Sequence, residues 1–460
     1  MGSTSSRPPA SPSRRPDPAA WRQGPPQRPA SQRPTIQADL LLTALGGQGD
    51  AIGRLATGEV VLVESGVPGD EVRVALEGLV RGVQRGRILS ILVPSVSRVP
   101  APCPVFGRCG GCQWQHIDLA IQRREKTTLA QRALGRNGSE VQVISSVPAY
   151  GHRRRVRLHL RRSCGRLQAG MLERASDTLA ATSACPVLVP ALEALVARLP
   201  EVLEPMVEQG EIYAVTGVEG TIATLHARPR ADGAGELDVE AAAHALGLAG
   251  LSVRLGPLQG TWGRSEVTLP ETARTDPSAG RAIPISTDAS GFCQATEAGN
   301  AAIRAAVAGF LDAIGPVPRC QEFYAGSGNL GSLAVGRTPR LRLVEANADA
   351  AARAGRSLAT AADLGTAVEV VTGDAALSAR APVPGELWLL DPGRPGAREL
   401  VERAAAWRPE HFIYVSCAPD TLARDLRRLE GAGYRQAGAA LIDTMPHTPH
   451  LELVVRLQRP

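Results

Sequence analysis

Cys320-Gln-Glu-Phe-Tyr-Ala-Gly-Ser-Gly-Asn329 reads as a short apolar strand running into a glycine loop, with a helical stretch beyond it. Glycines between a strand and a helix let the backbone approach a ligand closely. Glu345 ends the next apolar run, where a carboxylate can accept both ribose hydroxyls of an adenosine ligand. Outward from this loop, the runs Cys320–Tyr324, Leu341–Glu345, Val368–Thr372, Leu387–Asp391, Phe412–Ser416 and Glu452–Leu457 alternate with Ala-rich stretches. Strands alternating with helices predict an α/β, doubly wound, Rossmann-like domain over 285–460. The loop lacks the third glycine of a dinucleotide fingerprint. With Glu345 and Asp391 at strand ends, it favours S-adenosylmethionine over a nicotinamide cofactor.

Two cysteine patterns carry further chemistry. Cys417 follows the apolar run Tyr414-Val-Ser and precedes Ala418-Pro-Asp-Thr-Leu-Ala-Arg-Asp425, a helix start. A thiol at a strand tip beside a helix N-terminus sits where its thiolate is favoured, which suits a nucleophile. Cys103, Cys109 and Cys112, with Cys185 downstream, supply four thiols of the kind that hold zinc or a [4Fe–4S] cluster. Their three-plus-one spacing leans to iron–sulfur. Cys164, Cys293 and Cys320 stand outside that spacing.

Ahead of these motifs the chain divides by texture. Residues 1–36 hold nine prolines, six arginines and one acid, the composition of a disordered basic tail. Residues 37–96 alternate short strands with turns such as Gly66-Val-Pro-Gly-Asp70, predicting a closed OB-type barrel with Arg54, Arg73, Arg81, Arg85 and Arg87 along a nucleic-acid face. Residues 97–284 form a central α+β domain bearing the four cysteines, and its helix near 117–135 is free to pack on the catalytic domain. Within it Arg153–Arg161 alternates, with Val156, Leu158 and Leu160 opposite Arg155, Arg157, His159 and Arg161. Residues 150–166 contain seven arginines and no carboxylate, a phosphate-binding pattern. Arg153, Arg155, Arg157 and Arg161 are the candidate RNA contacts. Residues 190–285 show only weak strand patterns and no chemistry.

Over all 460 residues the formal charge is +6, carried by fifty arginines and a single lysine, Lys126. That skew resembles a GC-rich coding bias, so local clustering argues for RNA better than global charge does. No run approaches the roughly 18 apolar residues of a membrane span, and a cytoplasmic monomer is expected. A radical adenosylmethionine enzyme is disfavoured, because the first cysteine gap is five residues long and Cys417 would stand idle.

From about Leu40 to the C-terminus the chain resembles the RNA uracil-C5 methyltransferases, in their 23S rRNA branch with a TRAM barrel and an iron–sulfur cluster. Gly47-Gln-Gly-Asp-Ala-Ile-Gly53, the Cys103–His116 run, Cys185-Pro186, Phe292-Cys-Gln294, Asp391-Pro-Gly-Arg394 and Pro446-His-Thr-Pro-His-Leu-Glu452 carry the likeness. The resemblance implies Cys417 as nucleophile and Glu452 as general base. It implies Gln294, Tyr324, Asn329, Glu345, Asp374 and Asp391 as S-adenosylmethionine contacts, and Cys103, Cys109, Cys112 and Cys185 as ligands of a [4Fe–4S] cluster. Its implied partner is RNA, 23S rRNA or a ribosome-assembly intermediate. A tRNA uracil methyltransferase and a non-catalytic RNA-binding factor are the alternatives. Ala325, Gly393, Ala418 and Thr296 depart from residues common in the family.

Overall fold

The computed structural model describes residues 36–80, 82–135, 141–144, 147–231, 238–273 and 282–459. The tail and Arg81 lie outside the described residues.

Five strands, β1 (Gln37–Leu45), β2 (Ala51–Arg54), β3 (Val60–Val63), β4 (Glu71–Val80) and β5 (Val83–Val93), close into a barrel in the order β1-β2-β3-β5-β4. Alternation directs Leu40, Leu42, Val61, Val63, Val72 and Val74 inward, and Trp114 from the following segment completes that core.

The chain then forms α1 (Leu119–Ala133) and β6 (Gln142–Ile144) before entering the central domain. That domain holds β7 (Arg155–Ser163), β8 (Arg166–Leu172), β9 (Leu179–Ala181), α2 (Pro190–Leu203), β10 (Val207–Gly217), β11 (Gly220–Pro229), α3 (Val239–Leu246), β12 (Gly250–Leu255) and β13 (Leu258–Gly263). Its seven-stranded sheet runs β13-β12-β11-β10-β7-β8-β9, with the apolar faces of α2 and α3 packed on it. The weak patterns of 190–285 thus conceal four strands of a full sheet. β14 (Val267–Thr268), α4 (Pro270–Ala273) and β15 (Ser286–Thr287) lead out of it.

The C-terminal layer follows with α5 (Glu297–Ile314), β16 (Cys320–Phe323), β17 (Arg340–Glu345), α6 (Ala348–Ser357), β18 (Ala367–Thr372), α7 (Ala375–Ser378), β19 (Leu387–Leu390), α8 (Arg398–Trp407), β20 (His411–Ser416), α9 (Pro419–Gly431), β21 (Arg435–Ile442) and β22 (Glu452–Gln458). The sheet order is β18-β17-β16-β19-β20-β22-β21-β6, parallel apart from β22, which is antiparallel to both of its neighbours. Every residue of β16 and β19 is buried, as expected for parallel strands covered on both faces.

β21, Arg-Gln-Ala-Gly-Ala-Ala-Leu-Ile, has too little alternation to announce a strand, yet it lies between β22 and β6. The helix near 117–135, which the sequence left free to pack on the C-terminal domain, does so: Ala130, Ala133 and Leu134 share a core with Leu422 and Leu426 of α9, and β6 extends that domain's sheet beside β21.

Candidate active site

Where β16 ends, the backbone turns through positive φ at Tyr324 (62°), Gly326 (55°) and Gly328 (87°). Glycine tolerates such angles freely, and a tyrosine there marks a constrained, functional turn. Gly331 lies against the Glu322 carboxylate, where a Cβ would fall 2.1 Å from Oε2. The loop wraps a carboxylate, Glu345, which accepts from Gly326 N at 2.8 Å and Asn347 N at 2.7 Å. Backbone donors therefore fix its orientation at the tip of β17.

This loop forms one wall of a large open cavity. Gln294, Tyr324, Asn329, Glu345, Asp391, Cys417 and Glu452 all line it, although they come from separate segments. Asn329 exchanges amide hydrogen bonds with Asn300, at 2.8 and 3.1 Å. Asp374 stands apart: it is exposed, accepts from Leu377 N as the cap of α7, and is absent from the cavity wall.

The electrostatics of the cavity are dominated by carboxylates. Desolvation pushes Asp391 up to about 7. Burial, and then the Asp391 charge, hold Glu452 well above the usual carboxylate range, and its Oε2 has no hydrogen-bond partner. Glu322 is raised in the same way, by burial and then by Asp391 and Glu345. Such a set favours a cationic ligand. Burial, followed by the charges of Glu452 and Asp391, pushes the Cys417 thiol up to about 11, against the lowering influence of Arg394, so the thiolate-favouring position read from sequence is reversed in the folded protein. Desolvation takes His450 down to about 4, and Arg394 approaches its Nε2 at 3.4 Å. Glu322, Arg394 and His450 were not singled out by sequence. A carboxylate inside an all-buried strand is the signal that marks Glu322.

The arginine-rich strand divides by position. Arg155 lines the cavity and donates to Ser290 O at 3.3 Å, while its Nε has no partner. Arg157 forms a two-pronged pair with Glu211, and Arg161 donates to the Asp177 carbonyl. Arg153 instead lines a small pocket that it shares with Cys103, Cys109, Cys112 and Cys185. The uninterrupted row of cations read from sequence is thus broken, because β10 pairs antiparallel with β7 and sets Glu211 beside Arg157.

In that pocket burial raises Cys109, takes Cys112 up to about 11 and takes Cys185 up to about 12, and each thiol is raised further by its neighbours. Among the described residues no three Cys, His, Asp or Glu side chains are grouped tightly enough to hold a metal ion. All eight cysteines are free thiols.

A family model described as tRNA (uracil-5-)-methyltransferase matches residues 386–460. The 23S rRNA (uracil(1939)-C(5))-methyltransferase RlmD of Halomonas elongata is 31% identical over 441 residues, covering 92% of this chain and 89% of that protein. The protein of the same name from Pectobacterium atrosepticum is 31% identical over 407 residues, covering 86% and 88%. Among solved structures, Pyrococcus abyssi tRNA (uracil-54, C5)-methyltransferase in complex with S-adenosyl-L-homocysteine superposes with a TM-score of 0.69 at 20% identity, over 91% of this chain and 100% of that one. That structural likeness speaks to the fold, and the sequence relatives speak to the family. The chain belongs to the S-adenosylmethionine-dependent RNA uracil-C5 methyltransferases.

Proposed function

We propose that this protein methylates C5 of a uridine in 23S rRNA through a covalent adduct between Cys417 and C6 of the ring. The observation that carries the reading is the shared cavity, where a thiol and a buried, unpartnered carboxylate from different strands line the same space as the glycine loop. S-adenosylmethionine supplies a methyl group activated by a sulfonium charge, and the carboxylates Glu322, Glu345 and Asp391 suit that cation. Gln294, Tyr324, Asn329 and Glu345 would hold it, with Asp391 toward the reacting end; Asp374 is proposed with them only as a residue of the neighbouring loop.

Uracil C5 is a weak nucleophile. Addition of the Cys417 thiolate to C6 places electron density on C5, which then attacks the methyl carbon. Glu452 takes the C5 proton, the C5–C6 double bond re-forms, and the thiolate departs. Both ring faces must be reached, so the uridine leaves any stack to enter the cavity. Arg155 at the rim and the OB-type barrel would hold the flanking RNA. The 23S rRNA assignment follows the relatives, whose match extends through barrel and central domain as well as the catalytic sheet.

The four-cysteine pocket fits a [4Fe–4S] cluster in its donor chemistry. Cys103, Cys109, Cys112 and Cys185 line one pocket, with Arg153 the charged group beside them, and four cysteine thiolates are the ligand set that such a cluster takes. With every protein ligand position filled by cysteine, the cluster would hold the fold together. Among the described residues no helix is long and apolar enough to cross a membrane, and we place the protein in the cytoplasm, acting as a monomer. Mass spectrometric mapping of 5-methyluridine in rRNA and tRNA from a strain lacking this protein tests the assignment. Loss at a 23S rRNA position supports it, and loss confined to tRNA replaces it with the tRNA reading.

A further inference from the structure

The loop that carries Glu452 is anchored by a helix from a distant part of the chain. It runs from Asp443 to Leu451 between β21 and β22, and Ile442 is the register partner of Glu452 across those strands. Asp443 therefore leaves the sheet beside the base. Lys126 of α1 donates to Asp443 Oδ1 at 2.5 Å and to the Met445 carbonyl at 3.0 Å. The Lys126 side chain has no solvent exposure, and that of Asp443 has 2%. One helical turn earlier Gln122 accepts from His447 N at 2.7 Å, and the backbone N–H groups of Gln113 and Trp114 donate to the His447 carbonyl. Thr444 and Met445, between these ties, line the active cavity.

In a chain where every other basic side chain of the Lys/Arg kind is arginine, the one lysine occupies this position. Buried cations elsewhere, Arg154 and Arg353, are guanidinium groups paired with Glu271 and Asp288. At 126 the ammonium sends donors from a single point to two oxygens two residues apart, and it lies 5.8 Å from the Trp114 ring centroid. A planar, wider guanidinium does not reproduce that geometry in a closed site.

We propose that Lys126 is a positioning residue for the elimination step: by gripping Asp443 and the Met445 carbonyl it sets the turn that aims Glu452 at C5. The inference rests on the roles given above to Cys417 and Glu452. The step it serves transfers the C5 proton to Glu452, returns the C–H electron pair to the C5–C6 bond and releases the Cys417 thiolate, so that no further reactant is needed.

The test uses the full-length protein with unmodified 23S rRNA transcript, and the same transcript carrying 5-fluorouridine. Variants are Lys126→Met, Lys126→Arg and the double variant Lys126→Met/Asp443→Asn. Trapping of the fluorinated RNA needs no proton removal, and it should stay within about twofold of wild type. Breakdown of the adduct on ordinary uridine should slow by about 10²-fold, the cost typical of misplacing a reacting group by an ångström. Lys126→Arg should not rescue it. The double variant replaces the buried pair together and should regain thermal stability, yet still accumulate adduct. Adduct breakdown at the wild-type rate in Lys126→Met, or restored by the double variant, overturns the inference and leaves simple charge compensation. If Lys126→Met does not fold, the double variant decides alone. A wild type that fails to trap fluorinated RNA overturns the role of Cys417 itself, a different failure visible in a different arm.

Discussion

Cys417 and Glu452 must fail in different ways if the cavity works by covalent addition. Cys417→Ala should abolish both methyl transfer and the protein–RNA adduct. Glu452→Gln should still transfer one methyl group but accumulate adduct on denaturing gels, because elimination lacks its base. Methylation by Cys417→Ala would exclude addition to C6. The environment also sets a pH dependence. Since burial and neighbouring carboxylates hold the Cys417 thiol at about 11, its neutral form dominates at pH 7. Below that value the thiolate fraction grows tenfold per pH unit, so trapping of 5-fluorouridine RNA should accelerate from about pH 6 to about pH 8. A flat profile would mean that bound ligands have already lowered the thiol below that range. At this scale Cys417 was legible from its place at a strand end, whereas Glu322, Arg394 and His450 became visible only as neighbours in the cavity.

At the scale of elements, β7 shows how a partner strand edits a sequence pattern. Its inward face, Val156, Leu158 and Leu160, follows the alternation. Its outward cations do not act alike, because Glu211 already neutralises Arg157. Arg155→Ala should reduce the slope of log affinity against log salt by about one, the value for one lost phosphate contact, and Arg157→Ala should leave it nearly unchanged. Equal slopes for the two variants would show that RNA displaces Glu211 from Arg157. Helix α9 offers a second test. Ala418 occupies its N-cap and supplies no side-chain cap, while Leu422, Leu426 and Leu429 bury its apolar face. Ala418→Asn adds an acceptor for the first-turn N–H groups and should stabilise the protein by about 1 kcal/mol. Thermal melting measures this, and an unchanged midpoint would mean that Ser416 and Thr421, which already bond the Ala418 backbone, leave no gain.

Across the whole molecule, polar ties join the barrel, the central sheet and the catalytic sheet. Asp50 of the barrel pairs with Arg174, which also donates to Gln48 O, and Arg154 pairs with Glu271 beside the cavity. The four-cysteine pocket lies on the central sheet, with Cys185 buried in its core. Anaerobically purified protein should contain iron and sulfide in near-equal amounts. Cys185→Ser should lower thermal stability and iron content together while leaving the affinity for S-adenosylmethionine within about twofold, since structural metal sites act through folding energy. One zinc per chain without sulfide would exclude the cluster.

What the sequence determined by itself is local. Apolar runs bounded by glycine loops announced the parallel strands, because strands buried on both faces must be apolar throughout. Turn spacing announced the barrel, and the motifs around Asp391, Cys417 and Glu452 marked segments that line one cavity. Tertiary structure decided what depends on partners far away in the chain. β21 is a strand because β22 and β6 pair with it, not because Ala and Gly favour one. Arg153 faces cysteines and Arg155 a cavity, although they lie two residues apart. Lys126 is no solvated helix cation but an anchor for a loop more than three hundred residues later. Periodicity records which face of an element is apolar; only packing determines which opposite charge, hydrogen-bond acceptor or empty space that face meets.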